Sequence, residues 1–136
     1  MLGESNYSQE YVDDCRKKVA AQVAAYRRMA KAAGPSTALE AFEPVFFNNM
    51  VLVLDTFFTH RLRGKEGKDG NPLNEVRVLC TSLMANGDVM AADKTIKMKP
   101  ETSVLHHEVG DPIRVTEKDF GALAKAFFTE IEAKFL

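Results

Sequence analysis

The chain has 136 residues, of which 46% are apolar and 27% charged, and its formal net charge is −1. This composition is typical of a folded globular domain, and it excludes an intrinsically disordered or collagen-like chain. The charge balance gives no bulk attraction to nucleic acid or to a membrane, so only local patches could bind either. We therefore expect one domain over residues 1–136.

The first predicted helix covers about residues 8–33. Its apolar residues recur at steps of three and four, which places one buried face at Val12, Cys15, Val19, Val23, Tyr26 and Ala30. A second face is basic and spans about 120°, with Arg16, Lys17, Arg27, Arg28 and Lys31. The pattern favours a solvated face, and nucleic-acid binding is the alternative.

Pro44 determines where the second helix is predicted to begin. Thr37 and Glu40 match a capping box, but a proline inside the helix removes a hydrogen bond and kinks it. We expect a short turn ending near Phe42 and a new helix over about 44–63, closed by Gly64. This central helix is expected to be buried on most sides, apart from a polar arc of about 140° that also includes Val45 and Leu52. The polar residues in that arc are Asn48, Asn49, Asp55, Thr56, Thr59, His60 and Arg63.

Two further helices complete the predicted bundle. The third covers about 72–86 with Asn71 as its N-cap, and its apolar face holds Leu73, Val76, Cys80, Leu83 and Met84. The fourth covers about 117–135 with Thr116 as its cap, and its apolar face holds Phe120, Leu123, Ala124, Phe127, Phe128, Ile131 and Phe135. Between them, at about 88–115, the helical period disappears. Short alternating runs there favour a small β-hairpin or an irregular segment, with one helical turn as the alternative for 101–107.

The predicted fold is therefore mainly α, a bundle of four principal helices with a short irregular or β segment before the last one. The nine phenylalanines are expected to meet mostly in one core: Phe42, Phe46, Phe47, Phe57, Phe58, Phe120, Phe127, Phe128 and Phe135.

One loop is rich in glycine and positive charge and joins the second and third helices. Glycines let backbone amides converge on a ligand, and free N–H groups at the start of the next helix favour an anion. A phosphorylated or carboxylated small molecule is the ligand that this pattern suggests. The candidate binding residues are His60, Arg61, Arg63, Gly64, Lys65, Gly67, Lys68, Gly70 and Asn71. A mobile polar connector is the competing interpretation, and the sequence favours it.

No group of residues forms a catalytic or metal-binding pattern. The three histidines, His60, His106 and His107, lack the Glu-x-x-His spacing of carboxylate-bridged metal sites. Cys15 and Cys80 fall on apolar helix faces, where we expect buried, reduced thiols. His60 could act as a general base only for a ligand held by the glycine loop. We expect no metal, no cofactor and no catalytic residue.

The sequence favours a cytoplasmic, non-catalytic binding or regulatory module that self-associates, most simply as a homodimer. It shows no secretory signal, and its most apolar stretch, Val45 to Phe58, is interrupted by polar residues, so we expect no membrane span. The alternatives are an enzyme or binding protein for an anionic small molecule at 61–71, and nucleic-acid binding through the first helix.

Overall fold

The computed structural model describes residues 3–136, and it contains five α-helices and no β-strand within that range. The helices are α1 (Gln9–Ala33), α2 (Thr37–Phe57), α3 (Arg63–Glu66), α4 (Pro72–Ala85) and α5 (Glu117–Phe135). Helix α2 packs against α1, α4 and α5, and α5 also contacts α1 and α4. The prediction of a mainly α fold is confirmed.

Helix α1 forms as the apolar spacing predicts. The side chain of Ser8 accepts a hydrogen bond from Tyr11 N and caps the first turn. The chain leaves the helix at Gly34, whose positive φ of 72° is a conformation that glycine adopts without strain. The buried residues are Val12, Cys15, Val19 and Tyr26.

Helix α2 runs through Pro44 without a break, so the predicted start near residue 44 is wrong. The cap is Ser36, whose side chain accepts from Leu39 N, and not Thr37. Proline leaves the carbonyl of Glu40 without its helical donor, but Glu40 is exposed and water can take that place. Burial of the apolar residues that follow offsets the remaining cost.

Helix α2 also ends earlier than predicted, at Phe57. Phe58 N donates to the carbonyl of Asp55 and closes a tighter last turn. The apolar pattern predicts that Thr59, His60 and Arg63 continue the polar stripe of this helix. That prediction is wrong, because the helix ends before them. The chain turns here because Arg61 enters the protein interior, as described below.

The expectation that α2 is buried on most sides is wrong as well. Only Phe47, Met50, Val51 and Leu54 of this helix are buried. Among the described residues α2 is the one helix long and apolar enough to cross a membrane, with a mean hydropathy of 1.2. A single helix of this kind is weak evidence for a membrane protein, because a core helix passes the same test.

The observed limits of α4 and α5 agree closely with the predicted limits, about 72–86 and 117–135. Thr116 and Asp119 form a full capping box at the start of α5, and every residue predicted for its apolar face is buried. In α4 the prediction fails for Met84, which is 75% exposed. Residues that the apolar pattern did not include are buried there instead: Asn74, Glu75, Val78, Leu79 and Ser82.

The segment between α4 and α5 is irregular, and one isolated antiparallel bridge joins Val89 to Pro112. Side chains of α2 and α4 form hydrogen bonds with the backbone of this segment, as a neighbouring strand would in a sheet. The amide of Asn48 donates to Ile113 O at 2.9 Å and accepts from Val115 N at 3.0 Å. The buried carboxylate of Glu75 accepts from the backbone N–H groups that follow Ser103. These bonds satisfy backbone groups that a hairpin would otherwise pair.

Six of the nine phenylalanines are buried in one core: Phe47, Phe58, Phe120, Phe127, Phe128 and Phe135. Phe46 and Phe57 are half-buried and Phe42 is 42% exposed, so the expectation that most phenylalanines meet in one core is confirmed. The ring centroids of Phe58, the residue that follows α2, and Phe127 of α5 lie 5.8 Å apart, so the end of α2 meets α5 through aromatic contact.

Replacing Phe127 with alanine should lower the free energy of unfolding by about 3–5 kcal/mol, because it leaves a cavity at a fully buried site. Urea denaturation followed by circular dichroism measures the change. A variant as stable as the wild type would show that this contact does not hold the core together.

Candidate functional site

Arg61, at the start of the predicted anion-binding loop, is directed into the protein. Its side chain is fully buried. The guanidinium donates to the carboxylates of Asp55 and Glu66, each at 2.9 Å, and to the carbonyls of Phe58 and Leu73. Its charge is therefore neutralised by the protein itself, and it is not available to an external anion.

Glu66 lies at the centre of the same network and is also fully buried. Arg77 of α4 binds its carboxylate at 2.6 Å, and the amide of Asn74 donates to it at 2.8 Å. Burial alone would raise the pKa of Glu66, but the hydrogen bonds and charges of Arg77 and Arg61 outweigh it and hold the pKa below its usual range. We call Asp55, Arg61, Glu66, Asn74 and Arg77 the buried ion network.

Sequence reasoning missed this network, although one signal was present. Arg61 stands among Phe, Met, Val and Leu once the neighbouring residues are placed at helical spacing. A cation in such a setting needs buried acidic partners. Glu66 and Arg77 could not be assigned as those partners, because they belong to different helices.

The start of α4 is also closed to a ligand. Oδ1 of Asn71 accepts from Leu73 N at 2.9 Å and from Asn74 N at 3.1 Å, so the side chain satisfies the amides that were expected to bind an anion. Its amide group donates to the carbonyl of Glu66. A Cβ on Gly70, where φ is +88°, would lie 2.5 Å from the carbonyl oxygen of Lys97. The glycine is needed for this close approach within the chain.

The other candidate residues are spread around the loop. Lys65 Nζ donates to the carbonyl of Ser5 at 2.6 Å, and Gly67, with a φ of 81°, ends α3. His60, Arg63 and Lys68 are exposed, as is Gly64. The three side chains form no salt bridge within residues 3–136. Binding of an anionic small molecule here stays a prediction, and it now depends on these three side chains.

The thiols and histidines do not come together. Cys15 and Cys80 are both buried and unpaired with each other, and burial raises the pKa of each thiol. Nδ1 of His106 is hydrogen-bonded to the carbonyl oxygen of Pro100 at 2.6 Å, so this ring nitrogen already has a partner. Within residues 3–136 no three His, Cys, Asp or Glu side chains are grouped so as to hold a metal ion.

The solvent-facing side of α2 is the most unusual surface of the molecule. Positions 100° apart along the helix place seven uncharged residues on one side, which we call the α2 outer face: Ala38, Ala41, Phe42, Val45, Asn49, Leu52 and Thr56. All are exposed except Leu52, which is half-buried, and Val45 is 57% exposed. The face is about 27 Å long, from a rise of 1.5 Å per residue. A helix exposed to water normally carries charged residues on this side.

A groove of about 560 Å³ runs beside the α2 outer face. Ala41, Val45 and Leu52 form its wall on α2, and Leu83 with the bridged residues Val89 and Pro112 form the opposite wall. The floor includes Asn48, whose amide is already bonded to the backbone of the irregular segment. Asp88 and Arg114 also line the groove, so it presents two charged side chains beside its apolar contact area.

Replacing Glu66 with glutamine should destabilise the protein by about 3–5 kcal/mol, because it leaves Arg61 buried with too little negative charge. The pH dependence follows from the lowered pKa. The contribution of the carboxylate is present above its unfolded pKa of about 4.3, and it is lost as the pH falls through the lower folded value. Denaturation curves at pH 7 and pH 3 should therefore show a smaller difference between the two proteins at pH 3. An equal difference at both values would contradict the assignment.

Comparisons with known proteins give no further indication of family or activity. No protein-family model, no curated protein and no solved structure matches this chain. Function must therefore be inferred from the surfaces of the chain itself.

Proposed function

We propose that the protein is a small non-catalytic binding or regulatory module that self-associates as a homodimer through the α2 outer face. The observation that carries the proposal is the exposure of a long uncharged side of α2 in a chain where 27% of residues are charged. Exposed apolar surface of this extent is typical of an interaction site. A second copy would remove it from water.

The proposed dimer must bury enough surface area to be stable. A stable interface buries about 800 Å² on each partner, and a single helix face supplies only part of that area. The groove beside α2 supplies more, because Val89 and Pro112 on its opposite wall add contact area next to Val45 and Leu52. Each buried valine or leucine side chain contributes about 1.5–3 kcal/mol when it leaves water.

Two-fold symmetry suits the composition of this face. In a two-fold dimer the residues near the axis meet their own copies, so like charges there would repel. Val45 and Asn49 lie near the middle of the face and are both uncharged. Valine can pack against its copy, and two asparagine amides can form reciprocal hydrogen bonds because each has both a donor and an acceptor.

The proposal requires no catalytic residue and no cofactor. It places the protein in the cytoplasm, where the buried thiols of Cys15 and Cys80 would stay reduced. The alternative of an enzyme acting on an anionic small molecule is less well supported, since Arg61 and the first amides of α4 are bonded within the protein.

Replacing Val45 with glutamate should convert the homodimer to a monomer, because two carboxylates would meet near the axis without counter-charge. We expect the dissociation constant to rise at least about ten-fold, which corresponds to about 1.4 kcal/mol. Light scattering coupled to size-exclusion chromatography measures the mass. Ala25→Glu is the matched control, since it adds the same charge at an exposed position of α1.

A wild-type protein that is monomeric at 100 µM would overturn the proposal, as would an unchanged dimer in Val45→Glu. Flotation with lipid vesicles is the companion measurement. Binding of the wild type to vesicles that Val45→Glu abolishes would assign the α2 outer face to a membrane and not to a second copy.

A further inference from the structure

A second apolar surface lies on another side of the molecule, between α1 and α5. These helices run antiparallel, since Arg16 pairs with Glu132 near one end and Arg27 with Glu117 near the other. The space between them is a groove of about 390 Å³. We call it the α1/α5 groove, and it spans about 16 Å of α1 by the rise of 1.5 Å per residue.

The groove has an apolar floor and a cationic rim. Val19, Phe120, Ala124 and Phe128 form the floor, with half-buried Val23 beside them. The charged side chains that line it are all basic, namely Arg16, Arg27 and Lys125. Arg16 is already paired with Glu132 and Asp13, and Arg27 with Glu117. Lys125 is exposed and forms no salt bridge within residues 3–136.

Gly121 lies in the lining of this groove and has no role within the fold that requires glycine. It is inside α5, where glycine lowers helix stability relative to alanine. Its φ is not positive, and a Cβ added there would meet nothing within 4 Å. The missing side chain leaves space above the apolar floor.

From this charge and shape we infer that the α1/α5 groove is a docking site for an acidic amphipathic helix of another protein. Leucine-sized side chains on one face of such a helix would cover exposed Ala20 and half-buried Val23 and enter the space left by Gly121. Carboxylates beside that face would reach Lys125. The basic residues that α1 presents next to the groove, among them Lys31, extend the positive field over the same side.

The geometry argues against other occupants. A second copy seated across a two-fold axis near Lys125 would bring two unpaired lysines together, and like charges repel. A single strand of nucleic acid binds by stacking its bases on exposed aromatic faces, but Phe120 and Phe128 are buried. A membrane surface needs apolar side chains that protrude, and here they line a depression.

The inference rests on the proposed function only in treating the protein as a binding module, because the two surfaces share no residue. The probe is a synthetic 18-residue helical peptide of leucine and glutamate with its leucines on one face. A leucine–lysine peptide of the same pattern is the control. Isothermal titration calorimetry at 0.05 M and 0.5 M NaCl should show binding of the acidic peptide that weakens with salt, and no binding of the basic one.

Two variants locate the binding site. Gly121→Leu fills the open space and Lys125→Glu reverses the free charge, and each should weaken binding of the acidic peptide at least ten-fold. Lys94→Glu, at an exposed position outside the groove, is the control with the same change in net charge and should bind as the wild type does. Circular dichroism confirms that each variant is folded.

Val45→Glu separates this inference from the proposed dimer. If the groove is the docking site, Val45→Glu binds the acidic peptide with unchanged affinity whether or not the protein self-associates. Absence of binding, equal binding of both peptides, or binding that both groove variants leave intact would overturn the inference. So would retention on a 20-nucleotide oligonucleotide, or on vesicles of anionic lipid, that Lys125→Glu abolishes while the peptide does not bind.

Discussion

The ion pair between Arg61 and Glu66 is the constraint on which the local architecture depends. Two opposite charges with no exposure to water are stable only when every donor and acceptor has a partner. The structure meets that condition with groups from several elements: Asp55 at the end of α2, Arg77 and Asn74 in α4, and the backbone carbonyls of Phe58 and Leu73. The positions of α2, α3 and α4 are thereby fixed relative to one another.

The same network gives the glycine-rich loop a structural purpose. The chain must turn between Phe58 and Pro72 so that Glu66 can enter the interior. Gly67 and Gly70 permit these turns with positive φ angles, and Asn71 caps the helix that follows. Features that suggest a phosphate-binding loop in a sequence therefore serve here to bring a carboxylate to an arginine.

The sequence predicts what depends on local periodicity, and it fails where distant residues decide the outcome. The limits of α1, α4 and α5 follow from caps and apolar spacing close by in the chain. The course of α2 does not, because the cost of Pro44 is outweighed by tertiary burial of Phe47 and Leu54, and its end is set by Arg61. For the candidate site, the loop was found but its charges were assigned to solvent, since Asp55 and Arg77 are separated from it in sequence.

Both ends of the described chain form hydrogen bonds beside the buried ion network. Glu4 pairs with the backbone at His60 and Leu62, Tyr7 N donates to the carbonyl of Phe135, and Lys134 donates to the carbonyl of Glu66. During synthesis, α2 leaves the ribosome long before its covering helix α5 does. Nascent chains therefore expose the apolar side of α2 that α5 later covers, and exposed apolar surface of this kind promotes aggregation until α5 has been made.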